Sequence, residues 1–147
     1  MRFLLIILPL LLTHCTNGAS HEPEPELSTA MGQFERFSTK LGLALSAGNP
    51  RLAQFYLQEL RETLEDTQKT IPIHEGLPIG DLMETLLVPP LAELEKALQV
   101  RDLPRSRALW PTVIEGCNRC HGATEHEFIR IKVVRENPFS QEFALQN

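Results

Sequence analysis

The chain has 147 residues and three cysteines, and 14 Lys and Arg against 19 Asp and Glu give it a formal net charge of −5. That length leaves room for one domain. An acidic balance excludes the broad basic surface that nucleic acid requires, and it suits docking against basic patches on a protein partner.

The first segment is Met1-Arg2 followed by the apolar run Phe3 to Leu12. The run is too short to cross a bilayer and has the form of a secretory signal. Two cleavage sites compete. Leu12-Thr13-His14-Cys15 is similar to a bacterial lipobox, which would leave Cys15 lipidated, although His14 stands where a small residue is expected. Ordinary cleavage after Ser20, with Gly18 and Ser20 as the small residues, is the alternative. Residues 1–20 are expected to be signal sequence; on either cleavage the mature chain is exported to the periplasm, and lipidation at Cys15 would give its only membrane contact. Losing residues 1–20 removes one arginine and no acid, which leaves the mature chain at −6. Residues 21–26, His-Glu-Pro-Glu-Pro-Glu, read as a polar linker in which His21 is solvated.

The rest predicts an all-α domain over residues 27–122, an antiparallel four-helix bundle, with an extended C-terminal tail over 123–147. The first helix runs from Leu27 to about Ala47, with Leu27, Met31, Phe34, Ser38, Leu41 and Leu45 recurring three or four apart as a bundle seam. Gly48 ends it. Asn49 caps a second helix and Pro50 fits its first position. That helix continues to about Thr70 and buries Ala53, Tyr56, Leu57, Leu60 and Leu64, while its Glu and Arg side chains face solvent. Residues 71–80, with two prolines and two glycines, form an apolar loop. A third helix begins near Asp81 and is kinked or split at Pro89-Pro90. Asp102 caps a fourth helix, in which Trp110, Ile114, Cys117 and His121 follow one another four, three and four apart. Pro111 should bend it, and Gly122 should end it. The tail segment Phe128 to Val134 is rich in β-branched residues but has no partner strand, so it is expected to lie along the helices.

Cys117-Asn118-Arg119-Cys120-His121 carries the chemistry. Two thiols three residues apart, followed at once by a histidine, have the spacing of c-type haem attachment. On a helix the three project from one face, so the thiols can form thioethers with the two porphyrin vinyl groups while the imidazole stands beneath the iron. Because the seam residues lead into Cys117 and His121, such a haem would enter the bundle core. Two rivals stay open. A zinc site needs further ligands, with His126 or His74 the nearest candidates and no second cysteine pair in reach. A redox dithiol normally follows a strand. Export favours haem, since covalent attachment takes place outside the cytoplasm.

Four helices with Cys-x-x-Cys-His on the last one resemble the class II cytochromes c, the cytochrome c-prime group and its low-spin relatives. The run from Asn118 to Phe128 and the tail also resemble a group of small exported haem-binding proteins in which a similar Phe-Ile segment follows the motif. Class II chains usually end soon after the motif, whereas 26 residues follow His121 here. The resemblance implies one covalently attached haem c, with His121 as the proximal iron ligand. It implies attachment by the cytochrome c maturation machinery and one-electron exchange with periplasmic or membrane-bound redox partners, without enzymatic turnover. It also implies a sixth ligand from the first helix, Met31, with Met83 and His74 as alternatives and no protein ligand as the remaining one. Lacking a sixth ligand, the protein would be a five-coordinate binder of nitric oxide or carbon monoxide. Lacking haem, it would be a structural bundle with Cys117 and Cys120 as a dithiol or disulfide.

Overall fold

Helix α1 (Leu27–Ser46) turns into α2 (Pro50–Thr70) through three residues, and the reason lies in the caps. Gly48 adopts φ +72°, donates to Leu45 O, and sets up the Asn49 amide to reach Ala44 O. This is a Schellman closure, and it points the chain back along α1. Asn49 then serves both sides. Its Oδ1 accepts from Leu52 N at 3.1 Å to start α2, and its Nδ2 donates to Phe143 O at 3.2 Å.

The computed structural model describes residues 26–145, which form five helices and no strand. The expected signal peptide, Cys15, His21 and the expected linker as far as Pro25 lie outside the described residues. After α2 come α3 (Ile79–Leu86), α4 (Val88–Gln99) and α5 (Leu103–Ala123). The expected third helix is therefore two helices, and it begins two residues earlier than Asp81. The break falls at Leu87, and Pro89 and Pro90 sit in the first turn of α4, where their missing N–H groups would be unpaired in any case. Pro111 does not interrupt α5, which runs through it on an exposed face.

The core follows the seams. Phe34, Leu41 and Leu45 of α1 meet Leu57, Leu60 and Leu64 of α2, Leu91, Leu94 and Leu98 of α4, and Trp110, Val113 and Ile114 of α5. Leu94 and Leu98 are fully buried, and each such side chain contributes about 1.5–3 kcal/mol. Not all of α2's polar face is free. Arg61 pairs with Glu95 of α4, and Gln54 Nε2 donates to Leu98 O at 2.9 Å.

The Schellman closure recurs twice without glycine. Arg101 (φ 58°) follows α4, with Arg101 N on Leu98 O and Asp102 N on Ala97 O. Glu125 (φ 60°) follows α5, with Glu125 N on Gly122 O and His126 N on His121 O at 2.7 Å. A side chain in this left-handed conformation costs about 1–2 kcal/mol, partly offset by glycine's greater freedom in the unfolded chain. Glu125→Gly is therefore expected to stabilise the protein by about 0.5–1 kcal/mol, read as a rise in Tm of a few degrees. An unchanged or lower Tm would contradict the turn described here.

Residues 126–145 contain no helix or strand and return over the helices. Their far end is held by α1, α2 and the turn between them. Gln141 Oε1 accepts from Tyr56 Oη at 2.5 Å and from Lys40 Nζ at 2.9 Å, and Phe143 is buried in the core. Lys40 Nζ also stands 5.0 Å from the Phe139 ring centroid and 5.2 Å from that of Tyr56, an arrangement that attracts a cation to both rings.

Candidate functional site

The motif occupies the last two turns of α5. Its position follows from the cap at the other end, where the Asp102 side chain accepts from Arg105 N at 3.0 Å. From there Trp110, Val113, Ile114 and Gly116 bury the inner face of the helix and bring Cys117 down against the core. Gly116 permits the approach, because a Cβ there would lie 2.6 Å from the Leu86 carbonyl oxygen at the α3–α4 break. Cys117, Cys120 and His121 are all half-buried, whereas Arg119 between them is exposed.

Burial pushes the Cys117 thiol up to about 11, helped by the neighbouring Cys120, and burial also raises Cys120. Both are thiols rather than thiolates at neutral pH. They also sit at the negative end of a helix, the opposite of the electropositive setting that activates a redox dithiol. A metal site built from side chains alone has no support either, since among the described residues no three of His, Cys, Asp and Glu gather to hold an ion.

His121 has a defined orientation. Its Nδ1 lies 2.8 Å from the Ile129 carbonyl oxygen. A carbonyl only accepts, so Nδ1 carries the proton and Nε2 presents its lone pair. That is the tautomer of a metal-ligating imidazole whose other nitrogen is held by the protein. Ile129 is brought there by the turn after α5 and by Asn118, whose Oδ1 accepts from Ile131 N at 2.8 Å while its Nδ2 donates to Ile131 O at 3.0 Å. The sequence reading left Asn118 and Ile129 without a role. Ile129 is 45% exposed, and Phe128, whose ring centroid lies 5.6 Å from that of His126, is 77% exposed.

These residues fit a covalently held haem by their donor set: two free thiols at thioether spacing and one imidazole with Nε2 available. One cavity, of about 170 Å³, lies between α1, α5 and residues 130–134, lined by Ser38, Gly42, Trp110, Ile114 and Ile131. It is smaller than the roughly 300–1,000 Å³ that encloses a drug-sized ligand, and none of Cys117, Cys120 or His121 lines it. Another lies between α2 and α4, around Arg61 and Glu95. Neither cavity reaches the motif, and the half-buried face that carries Cys117, Cys120 and His121 lies at the C-terminal end of α5.

The other candidate ligands are scattered. Met83 is 3% exposed and enclosed in the core. His74 stands in the loop before α3, where its main chain pairs with that of Leu77. His126 turns its Nδ1 onto Thr124 O at 2.5 Å, beside the Phe128 ring. Met31 is half-buried on α1, packed against the core, and helix register gives its level. Arg107 Nε donates to Leu45 O at 2.7 Å, Trp110 faces Gly42, and Ile114 shares a cavity with Ser38. The two helices thus pass in opposite directions, and equal further steps along each bring His121 to the level of Met31.

No helix among the described residues is long and apolar enough to cross a membrane. Compared with known proteins, the chain matches no family model, no curated protein and no solved structure.

Proposed function

We propose that this protein is a monohaem c-type cytochrome of the periplasm that transfers single electrons. Cys117 and Cys120 would hold one haem c by thioethers, and His121 would bind its iron through Nε2. The bound iron would supply the one-electron couple. The protein's part would be to fix the His121 ring through Ile129 O and to hold the group within reach of periplasmic or membrane-bound redox partners. The five helices would make an antiparallel four-helix bundle in which α3 and α4 together count as one broken rod. The observation that carries the reading is the pairing of the Cys-x-x-Cys-His spacing with an imidazole whose Nδ1 is engaged by Ile129 O and whose Nε2 has no hydrogen-bond partner among the described residues.

A second reading, a five-coordinate haem that takes up nitric oxide or carbon monoxide, draws support from Met83, which the core encloses. Met31, at the level of His121, favours six ligands. One experiment addresses both. The full chain is expressed with cytochrome c maturation, stained for haem on a denaturing gel, and its visible spectrum is compared with that of Met31→Ala. Covalent stain and a low-spin spectrum that becomes high-spin in Met31→Ala are expected. Colourless protein with the mass of the bare polypeptide would sink the cytochrome reading, and a high-spin spectrum in both proteins would favour gas binding.

A further inference from the structure

We propose that Asn118 is a positioning residue for His121, a clip that fixes the register of the returning chain so that the Ile129 carbonyl orients the imidazole. The inference rests on the reading above, in which His121 binds iron, and adds the device that sets its geometry. A carboxamide bonded in both directions to one residue's main chain imitates a pair of strand hydrogen bonds, and Asn118 does this with Ile131. The pairing fixes Ile131 against α5 one turn before His121. Two residues back along the chain, the Ile129 carbonyl then meets Nδ1. The other end of this short segment is pinned by the turn after α5, with His126 N on His121 O and Ile129 N on His126 O at 2.9 Å. The segment between is thus held at both ends, and the carbonyl has little room to move.

The identity of residue 118 matters for this. Aspartate could still accept from Ile131 N but would repel Ile131 O, and alanine would do neither. Releasing the clip lets the carbonyl leave Nδ1. The ring loses the hydrogen bond that fixes its tautomer and raises its basicity as a ligand. A less basic imidazole stabilises ferric iron less, so the midpoint potential rises.

The test uses the full chain in two forms. In the haem-free protein, nitrogen-15 NMR of the His121 ring is expected to show protonation at Nδ1, and Asn118→Ala should reduce that population several-fold. In the haem-loaded protein, Asn118→Ala should keep its covalent stain and shift its potential upward, with Asn118→Asp intermediate in both measurements. Should Asn118→Ala fail to fold, Ile131→Pro removes the amide that Asn118 accepts from and tests the clip from the other side. A ring tautomer and potential unchanged by these variants would overturn the proposal. A chain that never takes up haem would overturn the ligand reading, and with it the purpose given to the clip, even where the tautomer still answers to residue 118.

Discussion

Replacing Cys117 and Cys120 together with alanine is expected to abolish haem staining on a denaturing gel while leaving a folded, helical protein. Both parts follow from position. The two sulfurs are the only groups near the motif able to form a bond that survives denaturant, so without them any bound haem is lost with the fold. The helix tolerates the change because alanine is its best former. The missing sulfur at Cys117, which packs against the core, costs about 1 kcal/mol. Cys120 is less enclosed and costs less. Either single replacement should leave one thioether and a weakened stain, and His121→Ala should retain the stain but change the iron spectrum. Circular dichroism and haem staining on the same preparations check the two parts separately. Undiminished stain in the double variant would mean that the haem is held elsewhere.

Much of the frame was legible because it depends on local rules. The observed limits of α1, α2 and α5 fall within a residue or two of those expected, since Asn49 and Asp102 are caps whose side chains do bond the first turns, and since Gly48 supplies the positive φ that ends α1. The split at Pro89-Pro90 was also visible, although the break lies two residues earlier, because two prolines are accommodated by starting a helix rather than by bending one. What local rules do not carry was missed. Arg101 and Glu125 close helices in a conformation that favours glycine, and nothing in their side chains announces it. The Asn118–Ile131 pairing joins residues 13 apart through an amide whose partner is main chain, so no residue type marks the second half of it. The motif itself could be read, and its orientation could not. The spacing predicts that Cys117, Cys120 and His121 share a face, but whether that face meets empty space or packed side chains depends on how Gly116 and Leu86 bring α5 against α3 and α4.

That contact predicts opposite outcomes for the same substitution made twice in one helix. Glycine to alanine inside a helix is favourable by about 1 kcal/mol where nothing else intervenes, and at Gly122 nothing lies within 4 Å of the added methyl. Gly122→Ala should therefore stabilise the protein by up to about 1 kcal/mol, less for its place in the last turn. At Gly116 the methyl would stand 2.6 Å from Leu86 O and 3.3 Å from Leu87 Cδ1. Leu87 can adjust its side chain, but the carbonyl belongs to the main chain at the end of α3, so α5 must move outward. Overpacking of this kind costs about 1–3 kcal/mol, more than the helix gain returns, and Gly116→Ala should destabilise by about 1–2 kcal/mol. Denaturant unfolding of the two variants beside the unaltered chain gives the comparison. Cys117 is the next residue, so the outward shift should also lower the yield of covalent haem in Gly116→Ala and leave it unchanged in Gly122→Ala. If both variants were stabilised, α5 would not approach the α3–α4 break as closely as described, and the depth of Cys117 would have to be revised with it.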